Sequence, residues 1–447
     1  MSTPPPVMPR AAVHVDGVHA LRGSKLAQAY AEGRRALARQ LPGWREDAAR
    51  GLAGSLAFLV PGGGEGVAAA VEAYAAAADP RGTLVVAGIG GSALSARCFA
   101  ALRRRHVRSQ ELVVLDTADP DVVSRLPAAW HPHGTRLIGV SKSGTTLESM
   151  AVFELLETWL TSELGAEGAR EAIAVVAGEG PNPLRARAEQ AGYPCFDLAS
   201  KIGGRFSGLT AVGLVPAALS DVDVLALEAG AAAGRGLALA DSEANPALEL
   251  AALQHAAWTT GRTVNVLLPY GERLAPLGPW WTQLLGESLG KVSATGPVGP
   301  VPLAARGPAD QHSLLQRLLD GPDDTLVVLI EAPIGPPPGD EIGARIHAGL
   351  APIQAACLEG TRHALAARGR PVVTVRLAAA DEASVAAFFQ VAEMAVVAWA
   401  HLLGVDAQGQ PAVQAGKDVA AVLLGTREDA ALSQAIAERR AKERGGV

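Results

Sequence analysis

The sequence predicts an α/β protein of two three-layer α/β/α domains with mainly parallel sheets, preceded by a helical segment at the N-terminus. Three observations carry this reading. Short β-branched runs alternate with helix-like stretches from residue 81 onward, a second set of such runs follows a long alanine- and glycine-rich interval, and 447 residues are too many for one small core. The expected division is an N-terminal helical arm over 1–80, a first α/β domain over 81–220, and a second over 221–447 that carries the C-terminal helices.

Taken in order, the proline-rich first ten residues read as a mobile lead, and residues 24–60 and 66–79 show helical apolar spacing. The run AAAVEAYAAAA (68–78) suits helices packed closely through small side chains. Strands are expected at TLVVAGIG (83–90), ELVVLD (111–116), TRLIGV (135–140), AIAVVAG (172–178) and PCFDLA (194–199). The basic cluster Arg103, Arg104, Arg105 and His106 reads as the solvated end of a helix. A largely helical interval over 221–260 leads to further strands at TVNVLLP (263–269), TLVVLIE (325–331) and VVTVRL (372–377). APIGPPPGDE (332–341) is a surface loop, 383–403 a long apolar helix, and the end of the chain a charged helical tail. The two halves share no sequence repeat.

Composition narrows the function. No uninterrupted apolar run reaches the roughly 18 residues of a membrane span, and the start lacks a basic stretch followed by an apolar one, so a soluble cytoplasmic protein is expected. The net charge of -6 argues against broad binding to nucleic acid or to an anionic membrane. The 3 cysteines are scattered without the spacing of a metal knuckle or redox pair and read as buried thiols. His131 and His133 flank a proline without a third ligand, so no metal site is expected there. Arginine supplies most of the positive charge, yet Lys142, Lys201, Lys291 and Lys417 all fall inside motifs, where a compact ammonium differs from a guanidinium in shape and hydration.

The first strand runs into GIGGSALSA (88–96), a glycine-rich turn opening a helix, where backbone amides favour an anion. Gly88, Gly90 and Ala93 approach a dinucleotide fingerprint, and Asp116 ends the next strand, so this loop alone leaves a nucleotide open. The third strand ends in SKSGTTLES (141–149), which gathers Ser141, Ser143, Thr145 and Thr146 at another helix start. An N-cap needs one hydroxyl; four at a positive helix end fit a phosphate cradle. Two such loops on one sheet favour a small phosphorylated metabolite over a nucleotide.

GIGGS with SKSGTT resembles the phosphosugar-binding (SIS) fold of sugar isomerases. Four further motifs in order, GGRFSGLTAVGL (203–214), WWTQLLGESLGK (280–291), DQHSLLQ (310–316) and GQPAVQAGK (409–417), make the chain similar to the glucose-6-phosphate isomerase family from residue 88 to 417. On a helical path Gln283 and Glu287 share a face; Glu287 could instead pair with Lys291 four residues on. The resemblance implies that Glu287 is the base moving a proton between carbons 2 and 1, and that Arg205 steadies the enediolate. It implies that His312, contributed by the neighbouring subunit of a homodimer, and Lys417 open the sugar ring. His312 itself reads as part of the first turn of a helix capped by Asp310, and Lys417 as lying near the second turn of a helix begun by Pro411.

The matching contacts to substrate are Gly91, Ser92, Ser141, Lys142, Ser143, Thr145, Thr146, Gly204, Gln283 and Gln410, with Glu148 orienting the histidine. The implied ligand is a sugar phosphate, with no cofactor and no metal. Gly144 stands where many family members carry an aromatic residue, which bears on sugar selectivity. Two other readings stay open: a silent sugar-phosphate sensor, and an isomerase for another anionic hexose such as mannose 6-phosphate.

Overall fold

The structure is a computed structural model that describes residues 12–17, 19–21, 23–79, 82–103, 111–335 and 339–445. The proline-rich lead, Arg104, Arg105 and His106, and the centre of the 332–341 loop lie outside the described residues. The first described element is β1 (Val13–Asp16), which pairs antiparallel with a late strand, Val372–Leu377. It went unpredicted because four residues are too few to show an alternation. The helix Ser24–Ala49 follows, but the expected continuation to 60 is instead a set of 3-10 turns between Gly51 and Gly63, before a helix at Val67–Ala77. Positive φ at Gly51, Gly62 and Gly63 (57°, 66° and 76°) ends helical geometry there.

The first sheet holds β2 (Thr83–Ala87), β3 (Glu111–Leu115), β4 (Thr135–Ser141), β5 (Ile173–Gly178) and β6 (Cys195–Leu198), all parallel in the order β3-β2-β4-β5-β6. Strand residues alternate between two cores. Leu84, Val86, Ile138 and Val140 join the cluster that includes Phe99 and the helix Ala211–Leu219, whereas Val85, Ala87, Leu137 and Val175 pack with Val152, Phe153 and Leu156 of the helix Leu147–Ala172. Burial on both faces is why these strands read as continuous apolar runs. The chain leaves β2 toward β3 on one side and returns as β4 on the other. The C-terminal ends of β2 and β4 therefore flank a topological switch point, where open α/β sheets bind ligands.

The second sheet uses β7 (Val264–Pro269), β10 (Val301–Ala304), β11 (Thr325–Glu331) and β12 (Val372–Leu377), with β1 on its far edge, in the order β1-β12-β11-β7-β10. A hairpin, β8 (Lys291–Ser293) with β9 (Gly296–Val298), precedes β10. The four parallel strands repeat the strand order of the first sheet, so the halves are related in topology despite unlike sequences. One large apolar cluster runs from the first sheet to the second through the helices Val224–Ala238, Pro246–Thr259, Leu277–Leu289 and Glu382–Leu403. Among the described residues the last of these is the one helix long and apolar enough to cross a membrane. Within the fold, 89% of its most apolar window is buried, so its composition serves the core. Three-layer α/β/α packing with an N-terminal helical region is thus the architecture, and the chain ends in the helix Ala430–Gly445.

Candidate functional site

The helix Leu277–Leu289 shows how the sequence aims its polar residues. Trp280, Trp281, Leu284, Leu285, Ser288 and Leu289 are buried, while Thr282, Gln283, Gly286 and Glu287 fall on the partly open face, as a 3.6-residue period requires. Trp280 stacks on Phe389 with centroids 3.9 Å apart, which bolts the inner face to the helix Glu382–Leu403. On the open face the Gln283 amide donates to Glu287 Oε1 at 3.1 Å, as their spacing predicts. The alternative Glu287–Lys291 pairing is not what forms. The helix ends at Leu289, and the Lys291 ammonium donates to the carbonyls of Asp406 and Gln408.

Glu287 Oε2 instead accepts from Arg205 Nη1 at 3.1 Å. Arg205 is 3% exposed, and all five of its N–H groups find acceptors. Nε donates to Ser288 Oγ at 2.7 Å, Nη1 also to Gln410 Oε1 at 3.0 Å, and Nη2 to the carbonyls of Ala407 and, at 3.0 Å, Gly409. Burial pulls the guanidinium below its usual pKa, and Glu287 pushes it back up. A buried cation with every donor satisfied is a fixed positive point beside a carboxylate that remains partly open to solvent. The sequence reading names Arg205, Glu287, Gln283 and Gln410, which meet here. It misses Ser288 and the 406–409 carbonyls; the adjacency of Ser288 to Glu287 was the available signal.

Glycines bring the loops against this cluster. A Cβ on Gly91 would lie 2.0 Å from Gly204 O, so GIGGS and GGRF touch backbone to backbone and neither tolerates a side chain at the contact. Gly90 has φ 59°, and a Cβ there would meet Gln283 Nε2 at 2.7 Å. Ser92 lies in the first turn of the helix Gly91–Ala100. In the neighbouring loop, Ser141 Oγ takes the Gly144 amide at 3.1 Å and Ser143 Oγ takes the Thr145 amide at 3.2 Å. Thr146 stands at the N-cap of the helix Leu147–Ala172 without a side-chain capping bond, so its hydroxyl is not spent on the helix. The first intrahelical donor is Met150, which leaves the preceding amides of the first turn outside the helical ladder. Lys142 points elsewhere: its ammonium donates to Ser200 O at 2.7 Å and Ile202 O at 2.8 Å, and burial lowers its pKa. It holds the loop down instead of facing the other hydroxyls.

A cleft of about 650 Å³ opens between this loop and the helix Gln414–Leu423, with Ser143, Thr145, Thr146 and Glu148 on one wall and Gln414 and Lys417 on the other. Gln410, bonded to Arg205, leads through the short turn Pro411–Val413 into that helix, so the cleft and the Glu287 cluster are joined by a few residues of chain. His312 is placed differently from its expected helix turn. It is exposed in a 3-10 turn, Ala309–His312, before a helix that starts at Leu315. Asp310 caps no helix; its carboxylate accepts from the Arg306 amide at 2.7 Å and the Ser313 hydroxyl at 2.6 Å, which closes the turn. Among the described residues no hydrogen bond or ion pair joins His312 to Glu287, Glu148 or Lys417.

The family model described as phosphoglucose isomerase matches residues 75–326. A probable glucose-6-phosphate isomerase of Natronomonas pharaonis is 35% identical over 354 residues, 78% of this chain and 80% of that protein. A glucose-6-phosphate isomerase of Thermus thermophilus is 36% identical over 343 residues, 74% of this chain and 81% of the relative. Among solved structures, a hypothetical protein of Thermus thermophilus has a TM-score of 0.80 at 31% identity, covering 92% of this chain and 100% of that one. A glucose-6-phosphate isomerase of Chlamydia trachomatis gives a TM-score of 0.68 at 22% identity over 84% and 76% of the two chains, a likeness of fold. The family model takes in more than half of the residues, including the Arg205–Glu287 pair and both strand-end loops, and relatives above 30% identity extend over most of the rest: this chain belongs to the phosphoglucose isomerase family of phosphosugar isomerases.

Proposed function

We propose that this chain interconverts glucose 6-phosphate and fructose 6-phosphate in the cytoplasm as a homodimer. The observation that carries the reading is the Glu287 carboxylate, held at 3.1 Å by both Gln283 and the buried Arg205 guanidinium, beside two anion-favouring loops at a sheet switch point. Ser92, Ser141, Ser143, Thr145 and Thr146 take the phosphate. Glu287 removes the proton from carbon 2 of the open-chain aldose and returns it to carbon 1. The negative charge that gathers on the enediolate oxygens meets Arg205, which needs no rearrangement to stabilise it. Ring opening falls to Lys417 on the far wall of the cleft together with His312 of a second copy, with Glu148 orienting that imidazole.

The test is Glu287→Gln, which keeps size and hydrogen bonding but removes the base. Turnover of fructose 6-phosphate in a coupled assay should fall about 100- to 10,000-fold, with phosphate binding and thermal stability near those of the parent. Near-normal turnover overturns the assignment. A parent protein that binds the sugar phosphate without turning it over supports a sensor instead.

A further inference from the structure

The segment 406–410 between the helix Glu382–Leu403 and the turn Pro411–Val413 has no regular structure, and its fixed position needs a cause. Among the described residues none of the carbonyls of 406–409 accepts a backbone amide from a turn or loop. Two side-chain cations take them in alternation. Lys291 donates to Asp406 O and, at 2.6 Å, to Gln408 O; Arg205 donates to Ala407 O and, at 3.0 Å, to Gly409 O. The Asp406 carboxylate adds a local turn by accepting the Gln408 amide at 2.9 Å. Arg205 then reaches Gln410 and Glu287 through its remaining nitrogen. The direction in which the guanidinium presents Nη1 thus depends on where the carbonyls of this segment lie, and Lys291 holds the other half of them.

We propose that Lys291 is a positioning residue for the isomerase reaction: by fixing the 406–409 carbonyls it sets the angle at which Arg205 faces Glu287 and the reacting carbons. This rests on the isomerase reading above. Lys291 touches neither substrate nor Glu287. Its ammonium is half buried in the carbonyl cage, and that burial, together with the nearby Arg205 charge, pulls its pKa down. Sequence places it four residues beyond Glu287, so the base and the tether of its partner leave the same helix end.

The experiment measures kcat and KM for fructose 6-phosphate in the parent, Lys291→Met, Lys291→Arg, Arg205→Lys and the double variant Lys291→Met/Arg205→Lys, with thermal melting to confirm folding. Lys291→Met should lower kcat about ten- to a hundredfold, the scale of a misplaced catalytic group, while KM stays within about threefold. Lys291→Arg, which can span the same two carbonyls, should recover most of the loss. In the double variant the loss should fall well short of the product of the single losses, since both act through one guanidinium. Unchanged kcat in a folded Lys291→Met, a KM effect alone, no recovery with arginine, or fully multiplicative losses each overturn the proposal. A parent protein without turnover sinks the isomerase reading itself, whereas an active parent with an indifferent Lys291→Met sinks only the tether.

Discussion

Arg205 and Glu393 are both sealed from water, at 3% and 0% exposure, yet the fold treats the two charges in opposite ways. Arg205 has an acceptor for each donor and keeps its charge at the site. Glu393, in the helix Glu382–Leu403, has only Gln390 Nε2 at 3.4 Å, and its Oε1 has no partner among the described residues. A carboxylate so placed holds its proton, and burial drives its pKa well above the ordinary carboxylate range. The folded state then binds a proton that the unfolded chain releases above about pH 4.3. Stability therefore declines as pH rises from there toward the raised folded pKa, with a limiting slope of ~1.4 kcal/mol per pH unit from this group. Glu393→Gln removes that proton exchange without removing the volume. Its melting temperature should match the parent near pH 4 and exceed it by a growing margin from pH 5 to 8. Melting curves that keep a constant offset across this range would show that Glu393 is ionised in the fold.

At the scale of elements, the two sheets share a strand order but only the first ends in open anion loops. β2 runs into Gly88, Gly90 and Gly91, which let backbone and helix start approach a ligand. β7 runs into Tyr270, whose hydroxyl bonds Thr361 and accepts from Gln311, so the corresponding crevice of the second sheet is filled by side chains. Gly144 sets the shape of the SKSGTT loop. Its φ is 64°, and a Cβ would meet Asn182 Oδ1 at 2.8 Å and the Leu184 amide at 2.9 Å, at the start of the helix Pro183–Ala191. Gly144→Ala should therefore cost about 1–2 kcal/mol through backbone handedness alone and push the loop off that helix. The expected outcome is a roughly tenfold weaker inhibition by inorganic phosphate and a matching rise in KM, with kcat less affected. Unaltered phosphate inhibition would remove this loop from the binding site.

What was legible followed from burial. Strands covered on both faces gave unbroken β-branched runs, and the eight expected ones all appear at or near their expected limits, as with 372–377 and 325–331. Edge elements were not legible: β10 is four residues with a proline inside and one side in water, and β1 is as short. The same contrast holds in the site. Gln283, Glu287, Arg205 and Gln410 stood out as polar residues inside apolar or glycine-rich motifs, and they converge. Ser288 and the 406–409 carbonyls could not stand out, because backbone acceptors carry no sequence label. Lys142 and Lys291 sat in motifs for a reason spacing does not reveal, each tying a loop through two carbonyls.

For the whole molecule, the question is whether one chain is a complete site. It gathers the base, the arginine and the phosphate loops, but leaves His312 in the open. The His312 turn is anchored from behind, where the Gln311 amide donates to Tyr270 OH and Cys357 O at 2.8 Å, on the helix Glu341–Ala367. That helix presents Ile342, Ile346, Leu350 and Ile353 outward at 71%, 58%, 59% and 58% exposure, an apolar stripe that a lone chain in water seldom keeps. A second copy, as in the proposed homodimer, would offer cover for such surface while carrying a His312 of its own. The arrangement makes a quantitative demand. In a two-fold dimer each site would use Glu287 from one chain and His312 from the other. Glu287→Gln and His312→Ala homodimers should each be nearly inactive. Mixed in equal amounts and allowed to exchange, about half of the dimers become mixed, and each mixed dimer holds one intact site of two. Activity should therefore return to about a quarter of the parent's. If differently tagged chains demonstrably exchange and activity stays at the level of the separate variants, His312 does not act across an interface, and ring opening must be assigned within one chain.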